Sequence, residues 1–229
     1  MLAPGADPAL QTIARATSFV FADFSNGRPT DLFGMAVRAG PPDFVPANGS
    51  ASQAFSKSQV LDGLDAFIAN YFGPNLLLYA TGGGIENTGV TRAINEMLLS
   101  SSRVPAGYAP CGAASPGKGC GPWALSLFPS WPLDEPAAFE TLLAKGGFLV
   151  SAAYDNVTRS VASPVRVVAN FADARCTLVA PWPGDGAPAA VDCGAGAVPV
   201  DVAPRGGGAP VLLSFDAPAG AVCAVSRSS

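Results

Sequence analysis

Before residue 100, apolar positions recur at spacings of three and four in three stretches. Between Pro8 and Phe21, the side chains of Leu10, Ile13, Ala14, Thr17 and Phe21 fall on one helical face behind an Asp-Pro entry. Ser56 and Ser58 introduce Val60, Leu61, Leu64, Phe67, Ile68, Tyr71 and Phe72, and Gly73-Pro74 ends the run. This is the clearest helix in the chain. In VTRAINEMLLSS, Val90, Ala93, Ile94, Met97 and Leu98 predict another helix, with Asn87 placed as its N-cap. Residues 22–56 mix Gly, Pro, Asn and Ser with short apolar patches and read mostly as loop. Residues 103–122 hold nine Gly or Pro in twenty positions, which predicts a connector without regular structure. After the brief apolar run WALSLFPSWP, Phe139, Leu142 and Leu143 predict a short helix over Asp134 to Lys145.

From Gly146 the period changes. FLVSAAY, VRVVAN, CTLVAPW, AAVDC, VPVDV, PVLLSF and AVCAVS are short, Val-rich runs separated by Asp, Gly, Pro and Asn. Strands at this spacing predict an antiparallel sandwich, with Phe148, Val150, Val165, Val167, Leu178 and Leu212 inside. The pairs Phe148/Val150 and Val165/Val167 each point to one face, because side chains alternate along a strand. The change of period places a domain boundary near residue 140, and no repeat of fixed length is apparent.

Composition narrows the function classes. Of the 229 residues, 49% are hydrophobic and 13% charged, so the chain can build a core. The formal net charge is −4 and no basic cluster exists, which argues against nucleic-acid binding as a primary function. There is no histidine. Ser-His-Asp and Cys-His nucleophiles and His-containing zinc sites are therefore excluded, and acid–base chemistry falls mainly to carboxylates. No dinucleotide fingerprint or metal-ligand spacing appears, so no cofactor and no metal are expected; the glycines 82–84 need only form a tight turn. No apolar run reaches the roughly 18 residues that span a bilayer, and a membrane partner is not expected. The opening residues carry Asp7 and no basic segment ahead of an apolar core, so they do not read as a secretory signal.

The cysteines are Cys111, Cys120, Cys176, Cys193 and Cys223, none at CxxC spacing. Cys111 and Cys120 bracket CGAASPGKGC and are expected to pair in an oxidising compartment, while Cys176 and Cys193 are expected in adjacent strands. Each cysteine can equally be a small buried apolar residue. Asn48-Gly-Ser and Asn156-Val-Thr are acceptor triplets for N-glycosylation.

Three strings occur in order: Glu96-Met97-Leu98-Leu99 with Ser101, Leu127-Phe128-Pro129 with Trp131-Pro132, and Leu143-Ala144-Lys145-Gly146-Gly147-Phe148 with Val150. Together with CTLVAPWPG they resemble glycoside hydrolase family 95, the α-L-fucosidase family, and its relatives, over residues 76–183. The resemblance implies an α+β chain: partial (α/α)6 toroid helices followed by an antiparallel β-sandwich. The expected layout is toroid helices over 1–102, a Pro/Gly-rich connector over 103–140 and a sandwich over 141–229. It implies a carbohydrate substrate in the full-length protein and a secretory location.

The family carries an aspartate eleven residues before the glutamate of the E-M-L-L string, and here that position is Ile85. Glu86 is the nearby carboxylate and the candidate catalytic residue; Asn87 matches the asparagine of the family's turn and is the candidate substrate contact. Glu86 can alternatively be an acidic group facing the helix dipole, or an ordinary solvated glutamate. Glu96 reads as structural, paired with Arg92 at i,i+4. An inverting hydrolase needs an acid and an activated water on opposite faces of the sugar. In the family the acid lies upstream of anything present here, so the chain is expected to be inactive alone. The alternative is a non-catalytic secreted protein of helices and β-sandwich. Trp123, Trp131, Trp182 and Tyr79 are candidate sugar platforms, or else packing between helices and sandwich.

Overall fold

The computed structural model describes residues 57–74, 87–104, 120–182, 189–194, 196–203 and 211–227. The helix expected over Pro8–Phe21, together with Tyr79, the glycines 82–84, Glu86 and Cys111, lies outside them. The described residues divide into two compact units. One comprises those up to Leu98 with Pro129–Leu133, and the other comprises Leu99–Phe128 with those from Asp134 onward.

In the first unit, helices α1 (Lys57–Tyr71) and α2 (Asn87–Leu98) form where the 3.6-residue period places them. Leu64, Val90, Ala93 and Met97 are buried together, with Leu61, Ile68, Tyr71, Phe72, Ile94 and Trp131 packed around them. Glu96 is half-buried on α2.

The second unit is built of strands. A five-stranded sheet runs β1 (Leu99–Arg103), β2 (Trp123–Leu127), β7 (Ala174–Val179), β11 (Leu212–Ala217) and β10 (Asp201–Ala203). Its pairs are antiparallel except β2 with β7. A seven-stranded antiparallel sheet runs β3 (Ala137–Ala144), β4 (Phe148–Asp155), β6 (Val165–Ala169), β12 (Val222–Arg227), β8 (Ala189–Asp192) and β9 (Ala197–Val198). Strand β5 (Ser160–Val161) joins it by pairing with β4. The alternation in β4 sends Phe148, Val150, Ala152 and Tyr154 inward, and β6 does the same with Val165, Val167 and Ala169. From the other sheet come Leu125, Cys176, Leu178, Leu213 and Phe215, each 2% exposed or less. Leu212 is also buried, on the other face of its strand.

This architecture overturns the expected fold class of partial (α/α)6 toroid helices followed by a sandwich. The described chain is mostly β, with two helices against twelve strands. Three local reasons account for the difference. Leu99–Arg103 continues the α2 string without Gly or Pro, yet it forms β1 because β2 offers it a full ladder from Leu99↔Leu127 to Arg103↔Trp123. The WALSL run inside the expected connector is that partner strand. Most instructive is Ala137–Ala144, expected as helix and found as strand β3. Its register with β4 shifts between Phe139 and Leu142, so Glu140 and Thr141 both face Ser151. That bulge adds one residue and turns an i,i+2 strand pattern into i,i+3, the spacing of a helix. Thr141 takes a φ of 53° there, and its N–H donates to Ser151 Oγ at 2.9 Å.

The β3–β4 turn accounts for the Lys145-Gly146-Gly147 string. Lys145, Gly146 and Gly147 close the hairpin, and the two glycines have φ of 90° and 79°. L-side chains avoid this region, and a Cβ on Gly147 would also lie 3.0 Å from the Phe171 ring.

Cys193 and Cys223 form a disulfide between the end of β8 and the adjoining β12, one position from the Ala224↔Asp192 pair. Cys120 is also disulfide-bonded. Cys176 is a buried free thiol. It lies in β7 of the five-stranded sheet, not in a strand adjacent to Cys193. Among the described residues no helix is long and apolar enough to cross a membrane.

Candidate functional site

Strands β7 and β11 each place alternate residues on opposite faces. Cys176 pairs with Phe215 and Leu178 with Leu213, and these four enter the core between the sheets. The other phase carries Arg175 opposite Asp216 and Thr177 opposite Ser214, with Asp201 of β10 beside Ser214. Such alternation ordinarily marks a solvated face. Here Thr177 and Ser214 are 0% exposed and Asp201 is 1% exposed. Val104, Cys120 and Val179 pack against Ala124 and Leu212 at the apolar end of this face.

The buried polar groups find partners. The Thr177 and Ser214 hydroxyls share a hydrogen bond of 2.9 Å, and Thr177 Oγ1 accepts the Gly121 N–H at 2.8 Å. Arg175 forms ion pairs with Asp201 and, at 3.2 Å, with Asp216. Gly121 is required at its position, because a Cβ would sit 2.2 Å from the Arg175 carbonyl oxygen. A planar guanidinium held between two carboxylates is a rigid brace across β7, β10 and β11. Asp201 is fully buried against Arg175, while the Asp216 side chain is 49% exposed.

Three further carboxylates accept hydrogen bonds in loops. Asp155 accepts the Val157 N–H at 2.8 Å and the Thr158 hydroxyl at 2.9 Å. These hydrogen bonds, the Val157 one foremost, hold its carboxyl below the ordinary aspartate value. Asp173 accepts the Ala219 N–H and Asp192 the Gly194 N–H, each at 2.8 Å. Burial raises the Tyr154 phenol above its usual range, and its ring lies 5.7 Å from that of Phe128, which in turn lies 5.4 Å from Phe139. Burial also pushes the Cys176 thiol up to about 12. Among the described residues no group of three or more His, Cys, Asp or Glu is placed to hold a metal ion.

The candidate residues from sequence fare as follows. Glu86 lies outside the described residues. Asn87 opens α2, and its side chain is likewise outside them. The three tryptophans are each engaged. Trp131 packs on the helix cluster, and Trp182 Nε1 donates to the Val161 carbonyl at 2.8 Å. Trp123 has Lys145 Nζ at 4.6 Å and the Arg103 guanidinium at 5.8 Å from its ring centroid. A sugar stacking on Trp123 competes with these cations. The cluster around Arg175 went unread in the sequence, since Arg175/Thr177 and Ser214/Asp216 show the same period-two polarity as solvated positions.

Residues of the three strings meet in part within each unit. Met97 and Trp131 belong to one apolar cluster in the first. In the second, Leu99 pairs with Leu127, and Ser101 Oγ accepts the Lys145 N–H at 3.2 Å. No protein-family model and no curated protein matches the chain.

Proposed function

We propose that this chain is the C-terminal part of a glycoside-hydrolase-like protein of the α-L-fucosidase-like group, inactive as an isolated chain and acting on a carbohydrate substrate in the full-length context. The observation that carries the reading is the occurrence of the three strings in order along the chain. In the structure Ser101 Oγ accepts the Lys145 N–H, and Leu99 pairs with Leu127 in strand register. On this reading the strings hold strands and helices in place, and the chemistry belongs to upstream residues together with Glu86 and Asn87.

A second reading has its own support: Ile85 stands where the group carries an aspartate. This reading makes the protein a secreted helix-and-sandwich relative that has lost its active site. Assaying aryl α-L-fucosides with the isolated chain and with a longer protein containing it separates the two. We expect no turnover by the chain alone, because general acid–base catalysis needs both partners around the scissile bond. Robust turnover by the isolated chain overturns the reading that it holds only part of a site. Turnover by the longer protein that falls strongly in Glu86→Gln supports the first reading, and its inactivity supports the second.

A further inference from the structure

We propose that Asn156 is an acceptor for an N-linked glycan, displayed at the tip of the β4–β5 hairpin. Asn156-Val157-Thr158 has the acceptor spacing, with a non-proline residue in the middle. The structure adds what a bare triplet lacks. Asp155 pairs with Ser160, so Asn156 to Arg159 form the four-residue loop of a hairpin. Val157 in the middle of the triplet is 87% exposed, and Thr158 and Arg159 are also exposed. A bulky, polar glycan fits such a tip without displacing any strand. The cysteine chemistry points to the same compartment: Cys193–Cys223 is a disulfide and Cys120 is disulfide-bonded. Structural disulfides form where proteins are secreted, and that is where lipid-linked oligosaccharides are transferred.

The step is a substitution. The C1 carbon of the first sugar bonds to Asn156 Nδ2 as its bond to the phosphate of a lipid-diphosphate oligosaccharide breaks. The lipid diphosphate leaves, and the amide proton passes to a base of the transferase. No oxidation or reduction occurs.

The folded loop also fixes the order of events. Asn156 Nδ2 donates to the Asp134 carbonyl at 2.9 Å, and the Thr158 hydroxyl donates to Asp155 at 2.9 Å. Both groups that define the acceptor triplet are thus engaged once the hairpin closes, so transfer precedes closure. The substituted amide keeps one N–H, which suffices for the Asp134 carbonyl, and the glycan leaves the turn intact.

The test is to pass the 229-residue chain through a eukaryotic secretory pathway and collect secreted and retained pools together. After glycan removal by a peptide-N-glycosidase in heavy-oxygen water, trypsin releases Gly146–Arg159, which contains Asn156 and no other asparagine. The expected result is that peptide with heavy-labelled aspartate at 156, lost in Thr158→Ala and retained in Thr158→Ser. Asn156→Gln removes the same fraction of the glycan, while any glycan at Asn48 is read on a different peptide. Recovery of Gly146–Arg159 unmodified from the wild-type chain overturns the proposal. Equal labelling in Thr158→Ala overturns it too, since the label is then spontaneous deamidation. Efficient glycosylation of the purified, folded chain by the transferase overturns the order of events.

Discussion

Removing the Cys193–Cys223 disulfide by the double substitution Cys193→Ala/Cys223→Ala tests how much the seven-stranded sheet depends on its cross-link. Reductant is the wrong tool, because it would also open the disulfide at Cys120. The bond closes a ring with a sequence separation of 30. Loop-closure entropy for that ring is about 12 cal/mol/K, hence about 3.6 kcal/mol at 25 °C. The covalent tie spans β8 and β12, and the ring contains β9, β10 and β11. Opening it therefore gives freedom in the unfolded chain to strands of both sheets. Alanine avoids burying a new hydroxyl, as serine would at positions 4% and 0% exposed. With a urea dependence of ~2 kcal/mol/M, the midpoint of the strand circular-dichroism transition falls by about 2 M. A fall under about 0.5 M, corresponding to ~1 kcal/mol, refutes the loop-entropy account.

Thr177→Val leaves the buried Gly121 N–H without its acceptor and costs about 1–3 kcal/mol in the same unfolding assay, whereas Thr177→Ser restores most of it. The Asp155 carboxyl is held below 3.8 by the Val157 N–H and the Thr158 hydroxyl. The loop therefore keeps its full contribution above the unfolded pKa and loses it as pH falls through the lower folded value. Hydrogen exchange at the Val157 amide should accelerate, relative to intrinsic rates, over that acid range, and Asp155→Asn should abolish the dependence. Cys176, fully buried with its thiol pushed up to about 12, should resist iodoacetamide in the native protein at pH 8 and react once urea unfolds it. Labelling at equal rates in both states contradicts that burial.

The parts of the fold that were legible from sequence share a property: the burial period equals the period of the element. Leu64, Val90, Ala93 and Met97 in the helices meet this condition, and so do Phe148 and Val150 in β4. Where a second term enters, the pattern misleads. The bulge in β3 adds one residue and imitates a helix, and β1 depends on a partner 24 to 28 positions from its start. The brace at Arg175 is hidden for a different reason. Polar alternation has the same appearance whether water or another part of the chain covers the face, and covering is a tertiary fact. The candidate site from sequence, Glu86 with Asn87, rests on the family resemblance and on position ahead of α2, not on periodicity.

The chain leaves the sandwich unit at Phe128 and contributes five residues, Pro129–Leu133, to the helix unit before returning at Asp134. Trp131, lodged among the helix residues, travels on this excursion. The consequence is for heredity. A single recombination point placed at Leu98 would give one descendant the helices without the indole that fills their cluster, and the other the indole without its pocket. Exchange of the helices alone therefore parts them from a side chain that packs on their cluster.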